Sequence, residues 1–270
     1  MDGIQNTPNR RPAGTLELAE DEAYVLVKAA PRHSDTFGET VCCAGIDRHG
    51  QWVRLYPVSF RQLDDAQKFR RWDHIKFRWS SPKATKDTRI ESRRVDHQSI
   101  QILGSLRPTD RNPLVSRIAV TSLAREFEAK RSLALLKPEI VDFRIIRRSD
   151  SEVHESQQTK ERLRSQPDLF GVRALIPNRT CPFKFEYVYR DDDGDHTGTC
   201  QDWETEQTFF RRLHDQASEK GALDWMAQKF GQEYPRLGMA LAMGTHRYRL
   251  EQWLINGVIR LNDDRQMNLI

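Results

Sequence analysis

Residues 39–58, ETVCCAGIDRHGQWVRLYPV, decide how the rest of the chain must fold. Val41, Cys42, Cys43 and Ala44 form an apolar run. Asp47-Arg48-His49-Gly50 supplies a polar turn ending in glycine, and Trp52, Val53, Leu55, Tyr56 and Val58 resume the apolar character. Two β-rich runs around such a turn predict a hairpin. A lone hairpin cannot hide its apolar face, so further strands must come from the flanks. Residues 23–29, AYVLVKA, read as a strand before it, and residues 72–79, WDHIKFRW, alternate behind it. Period two sets Trp72, His74, Lys76 and Arg78 on one face and Asp73, Ile75, Phe77 and Trp79 on the other. Residues 89–95 and 99–103 suggest two more strands, and residues 59–69 a short helix. Five short strands and a helix predict a small closed barrel, OB-like or SH3-like, with a PUA-like barrel as the alternative.

Farther along, Leu114, Ile118, Leu123, Phe127, Leu133 and Leu136 recur at roughly helical spacing, so residues 112–136 are expected to be helical up to Pro138. Residues 149–166 carry hardly any apolar anchor and read as a surface linker or an exposed helix. Residues 183–189, FKFEYVY, alternate strictly and predict a strand, with Asp191–Asp195 as its turn. Residues 202–230 read as helical, and residues 237–243 and 253–261 as a terminal strand pair. The expected class is α+β, two strand-rich, barrel-like halves joined by a helical middle. The expected division is a disordered arm over 1–20, a barrel-like domain over 21–108, a helical connector over 109–170 and an α+β barrel-like domain over 171–270.

Composition bounds the function classes. With 37% hydrophobic and 30% charged residues and twelve Phe and six Trp, the chain has material for cores and is not a disordered polymer. No apolar run is long enough to span a bilayer and the N-terminus lacks a signal-like core, so a cytoplasmic protein with no membrane partner is expected. Four cysteines, two of them adjacent, do not make a disulfide framework and read as reduced thiols. The net charge of +4 is uneven: residues 68–94 hold ten basic and three acidic residues. A basic patch favours polyanionic partners.

The chemistry-bearing stretches each have a plain reading and a functional one. Arg70, Arg71, Lys76, Arg78, Arg93 and Arg94, with Trp72 among them, match a cationic strand face with a base-stacking ring, as single-strand binders use. The plain reading is a solvated face over core aromatics. Asp202-Trp203-Glu204 with His196 could hold a divalent ion for a nuclease or hydrolase, although Asp202 and Glu204 also suit a helix start. Cys181, His196, Cys200 and His214 match no common zinc spacing, and Cys42 or Cys43 beside a histidine reads as a buried hydrophobe. His246, Arg247, Tyr248 and Arg249, between the terminal strands, could grip a phosphate or a partner protein. No Walker A, Gly-x-Gly-x-x-Gly or Gly-x-Ser-x-Gly occurs, so no cofactor is expected and no reaction is named.

Several stretches together resemble a bacterial family built from two OB-like barrels, the dual OB-containing proteins. They are GETVCCAGI with GQWVRLYPVSFRQLD, then SLALLKPEIVDFRI, CPFKFEYVYRDDDG, QDWE and MALAMGTHRYRLEQWLINGV. The resemblance runs from Val25 to Leu261 and implies two barrels linked to nucleic acid or mobile-element conflict. Some members carry a Cys-x-x-His-like element ahead of Asp-Trp-Glu. Here that place reads Gly194-Asp195-His196, with Cys200 later. The expected function is non-catalytic nucleic-acid binding as a subunit of a larger bacterial machine. A metal-dependent nuclease and a protein–protein adaptor are the alternatives.

Overall fold

The computed structural model describes residues 18–34, 38–82, 87–164 and 179–261. Of the arm expected over 1–20, residues 1–17 lie outside the described residues, while Ala19 and Glu20 already belong to the first strand; residues 262–270 at the end of the chain and Lys83 and Lys86 of the basic stretch are also outside them. In chain order come β1 (Ala19–Lys28), β2 (Arg32–Ser34), β3 (Gly38–Asp47), β4 (Trp52–Val58), β5 (Asp73–Ser80) and β6 (Ser92–Ser105). Next are α1 (Pro108–Ile118), β7 (Ala119–Val120), α2 (Leu123–Glu128), β8 (Leu133–Leu136), β9 (Glu139–Arg147) and α3 (Asp150–Arg164). The last are β10 (Phe183–Asp191), β11 (Gly194–Thr199), α4 (Trp203–Gln216), α5 (Glu219–Gln228), α6 (Tyr234–Leu237), β12 (Met239–His246) and β13 (Arg249–Arg260). The chain is α+β, with strand-rich halves joined by helices.

The expected hairpin is β3–β4. Asp47 closes it by accepting from the His49 and Gln51 amides, each at 2.8 Å, and Gly50 takes the positive φ of 77° that the turn requires. Antiparallel pairings run β5–β1–β3–β4 and β5–β6, and a parallel β4–β6 pair closes a five-stranded ring. This order, with one parallel pair, is that of an OB-type Greek-key barrel. Val25, Val53, Leu55, Ile75, Phe77 and Ile100 fill it. At Gly45 the β1 backbone passes so close that a Cβ would sit 2.4 Å from the Tyr24 carbonyl oxygen.

The second half follows a similar strand order in two sheets, β11–β10–β9 and β13–β12–β8–β7. β9 pairs with β10, β10 with β11, and β12 with both β8 and β13. The bend at Lys137 and Pro138 lets one run of chain, β8 then β9, serve both sheets. A parallel bridge from Cys200 to Ile255 joins the end of β11 to β13. Helices α4 to α6, with a π-helical turn (Lys229–Glu233) between the last two, fill the link between the third and fourth strand positions, and Phe209, Met226 and Phe230 from this stretch share one core with Phe185 and Tyr187.

A third core welds the halves together. Leu26, Ala44 and Ile46 of the first barrel meet Leu133, Leu135, Ala240 and Ala242 of the second. Two buried polar nodes flank it. In one, Arg71 pairs with Asp202 at 3.1 Å and Glu204 at 3.2 Å and donates to the Val258 carbonyl. In the other, Arg54 donates to the Ser132 carbonyl at 2.9 Å, while Ser132 donates its amide and hydroxyl to Glu91, each at 2.7 Å.

Several expectations need correction. Leu133–Leu136 is a fully buried strand, not the end of a long helix, because pairing with β12 and β7 outweighs a periodicity that four apolar residues cannot define. Residues 59–69 form two 3-10 turns rather than a helix. The two strands expected over 89–103 are one long strand, β6, whose register slips between Asp96 and Gln101.

Candidate nucleic-acid interface

A junction forms where the β5–β6 loop of the first barrel touches the end of β12 in the second half. Arg89 binds Asp87 through two nitrogens at 2.8 Å and donates to the Thr245 carbonyl at 3.0 Å. Burial works to raise the Asp87 pKa, yet hydrogen bonds and charge from Arg89, with Ser92, hold it at about 2. The Thr245 amide donates to the Ser132 carbonyl at 2.9 Å, which ties both loops to the Arg54–Glu91–Ser132 node. Three acidic groups of this junction are consumed internally: Asp87 by Arg89, Glu91 by Ser132, and Glu126 by Arg131 at 2.9 Å.

What faces solvent around the junction is cationic and aromatic. Arg94, Lys130, Arg131, Arg247 and Arg249 are exposed, with Glu251 as the acid of the β12–β13 segment. Tyr248 is 78% exposed, with the Arg247 guanidinium 4.8 Å from its ring centroid. Its amide donates to His246 Nδ1 at 3.2 Å, which shapes the turn. On β4 the outward side chains are Trp52, Arg54 and Tyr56. Arg54 is buried beneath Ser132 and Trp52 is half-buried, whereas Tyr56 is 38% exposed and lies opposite Arg94 in the β4–β6 pairing.

The residues expected from the cationic stretch scatter. Arg94 lies opposite the exposed Tyr56 across the β4–β6 pair, whereas Arg93 pairs with Leu55 in register and sets its guanidinium 4.2 Å from the Trp79 ring centroid, away from the junction. Lys76 and Arg78 do face outward, but Lys76 pairs with Glu20 at 2.8 Å and Arg78 with Asp96 at 2.9 Å, so neighbouring strands neutralise that face. Arg70 is exposed at the entry to β5. Arg71 is buried in its ion pair. Trp72 offers no face to a base: it is 8% exposed, sits in the inter-barrel core and holds a φ of 75° where the chain turns into β5.

The carboxylates weighed for a metal are also committed elsewhere. Asp202 is 2% exposed and caps α4 while binding Arg71, and burial pushes its pKa up against the pull of that guanidinium. His196 bonds Asp191 at 2.8 Å and stacks on Tyr189, so it is partnered within the β10–β11 hairpin. Among the described residues no group of three His, Cys, Asp or Glu is placed to hold a metal ion. Cys43 and Cys200 are buried and their thiols are pushed up by desolvation, Cys200 to about 12.

Lys130, Arg131 and Tyr56 escaped the sequence reading. Lys130 and Arg131 lie in a stretch expected to be helical, and in sequence Tyr56 reads as one member of an apolar run. The signal that could have found Tyr56 is parity, because it alternates with Val53 and Leu55 and shares the outer side with Arg54.

The family model described as "Domain of unknown function (DUF8758)" matches residues 19–120, and that described as "Domain of unknown function (DUF8757)" matches residues 114–269. No curated protein matches the chain. A solved structure titled "Structure and Conformational Change of a Replication Protein A Heterotrimer Bound to ssDNA" is 10% identical, with a TM-score of 0.25, over 94% of this chain and 68% of that one. At that score the likeness transfers neither fold nor function. Among the described residues no helix is long and apolar enough to cross a membrane.

Proposed function

We propose that this chain, which belongs to the family described as "Domain of unknown function (DUF8757)", binds nucleic acid at the junction of its two barrels. One observation carries this reading. The Arg89–Thr245 contact joins residues 156 apart in the chain, and the exposed Arg94, Lys130, Arg247 and Arg249 flank a junction where Asp87, Glu91 and Glu126 are internally paired and Glu251 is the exposed acid. Such a surface suits phosphates, because each cation that neutralises one releases a counterion. Arg70, Lys76 and Arg78 are peripheral in this proposal, since Lys76 and Arg78 must first give up Glu20 and Asp96.

Fluorescence anisotropy across a salt series tests it. Reversing Arg94, Arg247 and Arg249 to Glu is expected to abolish measurable binding at physiological salt. Changing the same three to Gln is expected to flatten the log affinity–log salt slope by about 2. Lys76→Gln with Arg78→Gln is expected to change affinity less than about threefold. A larger loss from the Lys76 and Arg78 pair than from the junction would move the site to the β5 face.

A further inference from the structure

We infer that the ligand is a single strand that spans both barrels, with one base stacked on Tyr56 and another on Tyr248. The inference rests on the nucleic-acid reading above and adds strandedness and two stacking platforms to it.

The covered surface of the first barrel points the same way. In barrels of this order the face of the second and third strands is where an oligonucleotide lies. Here that face, with Ala44, Ile46 and Arg54, is packed under β8 and β12 of the second barrel. Tyr56 is the exposed β4 residue of that face, two positions beyond Arg54, at the edge of the covering barrel. Thr40 Oγ1 donates to its hydroxyl at 3.4 Å, and Arg94 stands opposite it across the parallel pair. A ring restrained at one end beside a cation is suited to receive a base and its phosphate.

The second barrel contributes the matching element. Tyr248 projects from the turn next to Thr245, whose carbonyl is held by the first barrel's Arg89. Arg247 packs on it, which stabilises the ring by a cation–π contact while 78% of the residue stays open. A tyrosine this exposed on a cationic turn is open to a ligand that offers a flat apolar face. Duplex bases are stacked on one another and offer none, whereas single-stranded bases do.

The test uses labelled single strands of about 6 and about 20 nucleotides, the scales of one and two barrels, and a duplex of about 20 base pairs. For the longer strand, Tyr56→Leu and Tyr248→Leu are each expected to weaken binding about 5- to 150-fold, the range of one lost stacking contact. Tyr248→Phe keeps the ring and is expected to stay within about twofold. The shorter strand is expected to bind more weakly and to respond to one tyrosine at most, and the duplex to respond to neither. Both tyrosines are surface residues, and circular dichroism checks that the variants remain folded. Equal binding of duplex and long strand, insensitive to both leucine variants but still salt-dependent, overturns this inference and leaves the nucleic-acid reading standing. No binding of any probe at low salt overturns that reading itself.

Discussion

Arg71→Met is expected to lower the unfolding free energy by about 3–5 kcal/mol, the cost of leaving a buried partner charge uncompensated. The Arg71 side chain is 12% exposed and Asp202 2%. Asp202 also accepts from the Val258 and Glu204 amides, each at 3.1 Å, so its carboxylate is built into the meeting of α4, β13 and the entry to β5. Without the guanidinium, Asp202 and Glu204 become adjacent like charges in a site with little water. Burial already raises the Asp202 pKa, and losing Arg71 raises it further. A carboxyl whose folded pKa lies above its unfolded value favours the folded state below the unfolded pKa and loses that contribution as pH rises. The deficit of the variant is therefore expected to be full at neutral pH and to shrink toward pH about 4. Urea unfolding at several pH values measures this. A deficit below about 1 kcal/mol at neutral pH, or one that grows on acidification, would contradict the assignment.

Glu91→Ala is expected to cost about 3 kcal/mol or more and to weaken ligand binding without removing any ligand contact. Glu91 is 6% exposed and takes both the amide and the hydroxyl of Ser132. Its loss leaves these donors unsatisfied beneath Arg54, itself 4% exposed, whose pKa burial already lowers and which Cys42 and Glu91 help to keep charged. Ser132 holds the Thr245 amide, so the β12–β13 turn loses part of its anchor against the first barrel. Glu91→Gln keeps one acceptor and is expected to cost less. If Glu91→Ala unfolds at the wild-type urea midpoint, the node is not what fixes the barrels to each other.

Much of the architecture was legible in local pattern. The turn at Asp47–Gly50, the alternation of FKFEYVY and the helical spacing after Asp202 each report a period, and a period is a local property. Local pattern does not resolve Leu133–Leu136, because four apolar residues fit a helix as well as a strand, and only pairing with β12 decides. The same limit governed the site. Parity placed Lys76 and Arg78 outward correctly but could not show that β1 supplies Glu20 and β6 supplies Asp96 beside them. Arg71 and Trp72 carried the right residue types for a ligand surface, yet Arg71 reaches a carboxylate 131 residues away and Trp72 closes a core built from both halves. In the sequence, Arg94 and the 246–249 turn are unconnected. That they face a common junction follows from the way the two barrels pack.

The most direct test is photo-crosslinking of a halogenated single-stranded oligonucleotide to the full chain, followed by mapping of the modified peptides. The expected crosslinks fall on Tyr56, on residues 90–94 and on residues 246–249, and excess unlabelled strand suppresses them. Crosslinks confined to the β5 face around Lys76 and Arg78, or to the β10–β11 hairpin, would contradict a ligand held at the junction of the two barrels.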